Sequence, residues 1–324
     1  MSGNRILTGV KPTGNPHFGN LYGAILPAIT KANTASEPSY IFIANIHALN
    51  GLKDAVQLRE NTYAVAATFL AFGLDTNKTI FYRQSDIPEI FELTSILMNY
   101  TSKGLMNRAH AYKAILERDG NDDNVNMGLF TYPILMAADI LAMRADIVPV
   151  GIDQKQHIEI ARDIANSFNS IHNVNDFILP KEFIEHSDSI IGLDGRKMSK
   201  SYGNTVELFA TPEDTKKKIM KIPTDSLTPD EPKDASSTLY QLMTMFNVDA
   251  NFRAKFLSGG IGYGDAKKTL AETVNAYLAP YRAKYNELIS DHKQIDAFLS
   301  AGAVKARATA SETLKKVKQT LGLV

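Results

Sequence analysis

The sequence predicts an α/β protein: a doubly wound parallel sheet followed by a smaller, all-helical C-terminal domain. Two observations carry this expectation. Over roughly the first half, apolar β-rich runs alternate with stretches of helical periodicity, as in βαβ units whose parallel sheet is covered on both faces. After about Thr205 the β-branched runs stop, and the patterned segments all have helical spacing. A chain of 324 residues can bury a full core and suggests about two domains. The expected division is residues 1–204 for the α/β domain and 205–324 for the helical one.

The elements follow in order. "RILTGV" is the first expected strand and leads through "KPTGNPHFGN" into a helix from Leu21. "YIFIANI" is the second, followed by a helix over residues 55–72; "KTIFYRQ" is the third, followed by helical segments between 87 and 116. "GNDDNVN", residues 120–126, reads as a polar loop. The helix "FTYPILMAADILAM" precedes the fourth strand, "ADIVPVGI", which runs into the helix "DQKQHIEIARDIANSF". A Gly-rich polar loop, "GLDGRKMSKSYGN", then follows the apolar pair Ile190 and Ile191. Helical spacing returns in "TPEDTKKKIMKI", "SSTLYQLMTMF", "AKKTLAETVNAYLAPYRAKYNELI" and "ASETLKKVKQTLG". The glycines of "GGIGYGDAKK" follow helical "NFRAKFL" rather than a strand, so they read as a helix stop and interhelical loop, with no ligand.

Composition removes several function classes. Lys+Arg and Asp+Glu both number 35, so any polyanion site is a local patch rather than a global charge bias. The chain has no cysteine, which rules out disulfides, thiolate metal sites and a thiol nucleophile. "MSGNRILTG" has no apolar signal region and no run reaches membrane-spanning length, so a cytoplasmic protein is expected.

Three constellations carry chemistry. A helix N-terminus presents unpaired N–H groups and the positive end of its dipole, and glycines let a phosphate approach the backbone. The loop from Lys11 to Asn20 has that form, yet lacks both the P-loop ending and the G-x-G-x-x-G pattern; it offers His17 and Asn20 instead. It also follows the first strand, where open α/β sheets bind ligands. His17 alone is more often a capping or surface histidine. Downstream, Lys197, Met198, Ser199, Lys200 and Ser201 place two lysines three apart, able to address one polyphosphate, although a basic loop alone is also a solvated one. Finally, Tyr132, Met136, Asp139 and Met143 recur at helical spacing on one face. Asp139 amid Met, Ala, Ile and Leu is costly unless paired, through either a ligand or a buried interhelical hydrogen bond.

"PHFGN" and "KMSKS" in this order resemble the two signatures of the class I aminoacyl-tRNA synthetases. Asn20 stands where the general pattern has histidine, as in the tryptophan branch. "TGVKPTGNPHFGNLYGAI", "ANIHAL", "NRAHAYKA", "TYPILMAADILA" and "VPVGIDQKQHIEIARDIA" resemble segments of that branch in their usual order. The resemblance implies a Rossmann-like catalytic domain that activates L-tryptophan with ATP and Mg²⁺ and transfers it to the terminal ribose of its tRNA, by class habit at the 2′-hydroxyl. Within the family, a tyrosine enzyme would need an acceptor pair for a phenol hydroxyl. Outside it stands a nucleotidyltransferase without tRNA.

The same resemblance assigns residues. Gly19 would let adenosine lie against the backbone, His17 and Asn20 would address the phosphates, and Lys197 and Lys200 would stabilise charge on the departing pyrophosphate. Lys11, Pro12, Thr13, Ser199 and Ser201 would complete the two ATP loops, and the lysine loop is expected to close over the other. Gly151, Ile152 and Asp153 would lie near the ribose, while Ile190, Ile191 and Met198 would flank adenine. Asp153 is equally an N-cap for the following helix. Asp139 would be the tryptophan-specificity residue, beside Met136 and His47, with Tyr132 and Gln154 holding the ammonium group. No protein metal ligand is assigned. A homodimer is expected, with the C-terminal helices reading the anticodon arm through Lys305, Arg307, Lys315, Lys316 and Lys318. Lys11 and Asn45 depart from the glutamine and aspartate of many relatives.

Overall fold

The computed structural model describes residues 5–109, 125–184 and 190–324. The last stretch of the helical region expected up to 116 and most of the loop expected at 120–126 lie outside the described residues. Three parallel strands, β1 (Leu7–Val10), β2 (Ser39–Ile43) and β3 (Thr79–Arg83), pair with Leu7 opposite Tyr40 and Ser39 opposite Thr79. Strands β4 (Ile147–Val150) and β5 (Lys181–Ile184) pair in parallel, and a parallel bridge from Ile6 to Ile147 joins the two groups. The order across the sheet is therefore β3-β2-β1-β4-β5, with the topological switch between β1 and β4. This is a Rossmann-like fold. β5 is not among the strands expected from the sequence, since "KEFI" is no apolar run and pairing with β4 makes it a strand.

The first helix starts earlier than its pattern suggests. Helix α1 (Phe18–Asn20) passes through a π turn, Leu21–Ile25, into α2 (Leu26–Thr34). Pro27 has no N–H to give the regular ladder, and the wider turn ahead of it accommodates that loss. Next come α3 (Asn45–Ala48), α4 (Ala55–Ala71), α5 (Pro88–Leu97) and α6 (Lys103–Asn107). Helix α7 (Met127–Ala142) precedes β4, and α8 (Lys155–His172) follows it. The regular elements beyond the lysine loop are helical: α9 (Pro212–Met220), α10 (Thr238–Met245), α11 (Ala250–Ser258), α12 (Tyr263–Ser290) and α13 (His292–Thr320). Gly259 and Gly260, at φ 87° and 114°, separate α11 from α12 as the interhelical loop expected there.

Successive strand residues feed two cores, one on each face of the sheet. Ile41, Ile43 and Phe81 join residues of α2, α4 and α10–α12, whereas Tyr40, Phe42, Ile80 and Tyr82 join α5, α7 and α8. Helix α13 takes part in both: Ile295 and Leu299 belong to the first core, Ala303, Ala306, Ala310, Leu314 and Val317 to the second. It crosses the edge strand β3 so closely that a Cβ on Gly302 would stand 1.8 Å from the Phe81 carbonyl oxygen. That contact covers an edge that would otherwise be open to pairing. No helix among the described residues is long and apolar enough to cross a membrane.

Candidate active site

A cavity of 360 Å³ opens at the carboxyl ends of β1 and β4, at the switch point. Its walls include Gly9, Val10 and Lys11, Phe42 and Ala44 from β2 and its end, and Pro149, Val150 and Gly151. The five residues expected around the amino acid, His47, Tyr132, Met136, Asp139 and Gln154, all line it. Tyr132, Met136 and Asp139 do so because residues four and three apart share a face of α7. Met143 continues that face but is fully buried in the core and leaves the cavity.

Asp139 is buried and hydrogen-bonded. Its Oδ2 lies 2.9 Å from His47 Nε2, and the Gln84 side-chain amide donates to Oδ1 at 2.9 Å and to Oδ2 at 2.8 Å. Burial raises its pKa, and the hydrogen bonds from His47 and Gln84 oppose that rise. Gln84, which opens the turn after β3 and is itself fully buried, is not among the residues expected at the site. Nor is His157. The Tyr132 hydroxyl and His157 Nε2 are hydrogen-bonded, and His157 Nδ1 lies 2.9 Å from Gln154 Oε1. The two residues expected to hold the ammonium group are thus braced by one imidazole. A helix-face histidine three residues after Gln154 was the available signal. Burial pushes the Tyr132 phenol up to about 12, so it remains a hydroxyl donor.

The departures are accommodated in different ways. Lys11 sits between this cavity and a neighbouring one, with its ammonium 5.9 Å from the Tyr132 ring centroid; burial lowers its pKa. Asn45 accepts from the Ser85 N–H at 3.1 Å and donates to the Ser85 hydroxyl at 2.8 Å, bracing the Gln84 turn. A carboxylate there could accept but not donate.

The two signature loops, some 180 residues apart, meet in space. Phe18 N donates to Val206 O and Leu208 N to Pro16 O, while Lys200 Nζ donates to Thr13 O at 2.7 Å. Asn20 accepts from the His17 backbone N–H at 3.1 Å, fixing the helix start, and its side chain is otherwise at the exposed rim. The glycine of the first signature has a steric reason: a Cβ on Gly19 would stand 2.8 Å from His17 Cε1. His17 is 6% exposed, and its Nδ1 is buried without a hydrogen-bond partner among the described residues. Burial lowers the His17 pKa, Lys200 lowers it further, and Glu207 works the other way.

In the lysine loop, Asp194-Gly195 turns a small hairpin in which Ile191 and Lys197 pair. Asn204 clips it shut, accepting from Ser199 N at 2.8 Å and donating to Asp194 Oδ1 at 2.7 Å and to Lys197 O at 3.1 Å. Gly192 leaves room for that clip, since a Cβ there would be 2.3 Å from Asn204 Nδ2. Lys197 and Lys200 are exposed, Ser199 and Ser201 bond each other, and Ile190 and Ile191 are half-buried. Met198 is buried in the first core, where its sulfur accepts from the Gly19 N–H at 3.3 Å. Pro12 is buried and Thr13 exposed in the first loop; Gly151 and Ile152 are exposed above β4. Helix α8 takes Gln154, not Asp153, as its N-cap, and the Asp153 side chain lies outside the described residues.

Residues 2–279 match the family model described as tRNA synthetases class I (W and Y). The tryptophan–tRNA ligase of Neisseria meningitidis is 48% identical over 100% of this chain and 99% of its own, and that of Pseudomonas putida is 46% identical over 98% and 74%. Among solved structures, the tryptophanyl-tRNA synthetase of Campylobacter jejuni superposes with a TM-score of 0.92 at 40% identity, covering 99% of this chain and 100% of that one. The same enzyme complexed with ADP and tryptophan gives 0.91 at 40% identity, covering 98% and 100%. With both signature loops joined in space, a cavity at the switch point of the sheet and a match along the whole chain, this protein belongs to the class I tRNA synthetases of the tryptophan and tyrosine group.

Proposed function

We propose that the protein is a tryptophan–tRNA ligase: it condenses L-tryptophan with ATP to the aminoacyl adenylate, releases pyrophosphate, and passes the aminoacyl group to tRNA. The observation that carries this reading is the buried Asp139 carboxylate on the wall of the cavity beside the two joined loops. An indole has one strong donor, its N–H, and an acceptor-only group suits it. The relatives named above support tryptophan over tyrosine, and the ADP complex supports the nucleotide.

The chemistry requires positioning and positive potential rather than a covalent nucleophile. The tryptophan carboxylate attacks the α-phosphorus, and the bond to the pyrophosphate breaks. Tyr132 and Gln154 would orient the ammonium group, His17 and Asn20 would address the phosphates, and Lys197 and Lys200 would take up the charge that develops on the leaving group. Lys200 now donates to a backbone carbonyl of the first loop, a weaker partner that a phosphate oxygen can replace. Among the described residues no group of three His, Asp or Glu can hold a metal, so Mg²⁺ would enter on the phosphates, where it neutralises charge. We assign the chemistry to residues 1–204 and tRNA reading to the helices of 205–324, in a cytoplasmic homodimer. Amino-acid-dependent pyrophosphate exchange tests the reading: tryptophan alone should support rapid exchange, and exchange with tyrosine instead would overturn it.

A further inference from the structure

Gln84 uses its whole side-chain amide on two elements. Its oxygen accepts from the backbone N–H of Ile46 at 3.2 Å and of His47 at 3.3 Å, at the start of α3; its nitrogen donates to both oxygens of Asp139 on α7. This pattern also fixes which end of the amide is which, because a carboxylate can only accept and a backbone N–H can only donate. One fully buried residue outside the cavity lining thus sets two polar side chains of the pocket: the rotamer of Asp139 and the placement of His47, whose ring bonds Asp139 in turn.

We infer that Gln84 is a specificity-positioning residue, holding the Asp139 carboxylate so that it accepts the substrate's indole N–H. The inference rests on the tryptophan reading above and deepens it. Asp139 needs the support because a single carboxylate on a helix, amid Met136, Ala138 and Ile140, has among the described residues no other donor apart from His47. The amide locks the carboxylate plane by bridging both oxygens. Acceptance of a third donor then involves no reorganisation, and a ring without an N–H leaves the buried acceptor underused. Phenylalanine and a benzothiophene analogue of tryptophan, with sulfur in place of the indole N–H, should be rejected on that ground.

The test compares wild type with Gln84→Met, which keeps the length and most of the volume, and with Gln84→Glu, which keeps the shape but turns a donor into an acceptor facing Asp139. The chain contains no tryptophan, so the indole fluorescence of bound substrate is read directly against the tyrosine background. Pyrophosphate exchange, normalised to active sites titrated by adenylate formation, gives kcat/KM for tryptophan, the benzothiophene analogue and phenylalanine. Wild type should prefer tryptophan to the analogue. In Gln84→Met the affinity for tryptophan and its preference over the analogue should both fall by about tenfold, with the KM for ATP unchanged, and Gln84→Glu should be more affected. A purely structural glutamine would lower the titrated fraction or the melting temperature while the surviving sites kept wild-type preference, and that result overturns the inference. Should Gln84→Met fail to fold, the same ratio in the isosteric Gln84→Glu decides. A wild type that does not select tryptophan would instead remove the function reading itself.

Discussion

At the scale of single residues, the site is built from side chains whose neighbours leave them little choice. With Asp139 as the proposed acceptor of the indole N–H, Asp139→Ala should lower kcat/KM for tryptophan by about tenfold to a hundredfold and narrow discrimination against phenylalanine in pyrophosphate exchange. Gly19 is a spacer. Ala is the better helix former by about 1 kcal/mol, yet its Cβ would press on the His17 ring, so Gly19→Ala should hold or raise the melting temperature while cutting kcat/KM for ATP by up to about a hundredfold. A variant with unchanged turnover would show that the imidazole has room to move. His17 itself couples to pH. Its folded pKa lies below the ordinary value near 6.5, through burial first and Lys200 second, so the unfolded chain binds the proton more readily. The stability linked to neutral His17 is therefore fully present above the unfolded pKa and is lost as pH falls through that value toward the folded one. Denaturant melts of wild type and His17→Asn should converge as the pH is lowered through that window; a constant gap would contradict the linkage.

At the scale of elements, the strands whose residues are buried on both faces were readable, and those defined only by a partner were not. β2 and β3 are almost wholly buried and announce themselves as "YIFI" and "TIFY". β5 has exposed Lys181 and Phe183 and exists because β4 offers it a ladder. The same limit applies to the site. Asp139, Tyr132 and Met136 share one helix face and could be grouped from spacing, but Gln84, His157 and Asn204 act through contacts with distant residues or with backbone, which no local pattern encodes. Helix α13 has a comparable hidden constraint. A glycine inside a helix normally costs about 1 kcal/mol relative to alanine, so Gly302→Ala should stabilise on propensity alone. Here the added methyl meets the Phe81 carbonyl of β3, and the helix must lift off the strand it covers. Gly302→Ala should therefore destabilise, by about 1–3 kcal/mol as overpacked sites do, in urea melts at neutral pH. A stabilised variant would mean that α13 rides on β3 more loosely than the structure has it.

At the scale of the whole molecule, a chain with balanced charge must bind a polyanion through local surfaces, and the structure sorts its cations by what they already do. The sequence places five basic residues near the end of the chain as one face. The structure shows that α13 lies along the sheet, with three of them engaged: Arg307 pairs with Glu89 at 3.1 Å, Lys316 with Glu312 at 2.9 Å and Lys318 with Glu92 at 2.8 Å. Two of these pairs, from Arg307 and Lys318, tie α13 to α5. Lys305 and Lys315 are exposed and make no ion pair among the described residues. A cation already matched by a carboxylate releases fewer counterions when a phosphate arrives, because its own field is partly cancelled. The free lysines should thus contribute most to tRNA affinity. Lys315→Ala should weaken tRNA binding and reduce the slope of log K against log salt by about 0.7–0.9, the increment for one phosphate contact, while pyrophosphate exchange stays at the wild-type rate. Arg307→Ala should change the slope less and instead cost up to about 1 kcal/mol of stability, as partly exposed ion pairs do. Filter binding of tRNA across a salt series measures both slopes. An unchanged slope for Lys315→Ala would move the RNA surface off α13, whereas a larger effect from Arg307→Ala would mean that the Glu89 pair opens when tRNA binds.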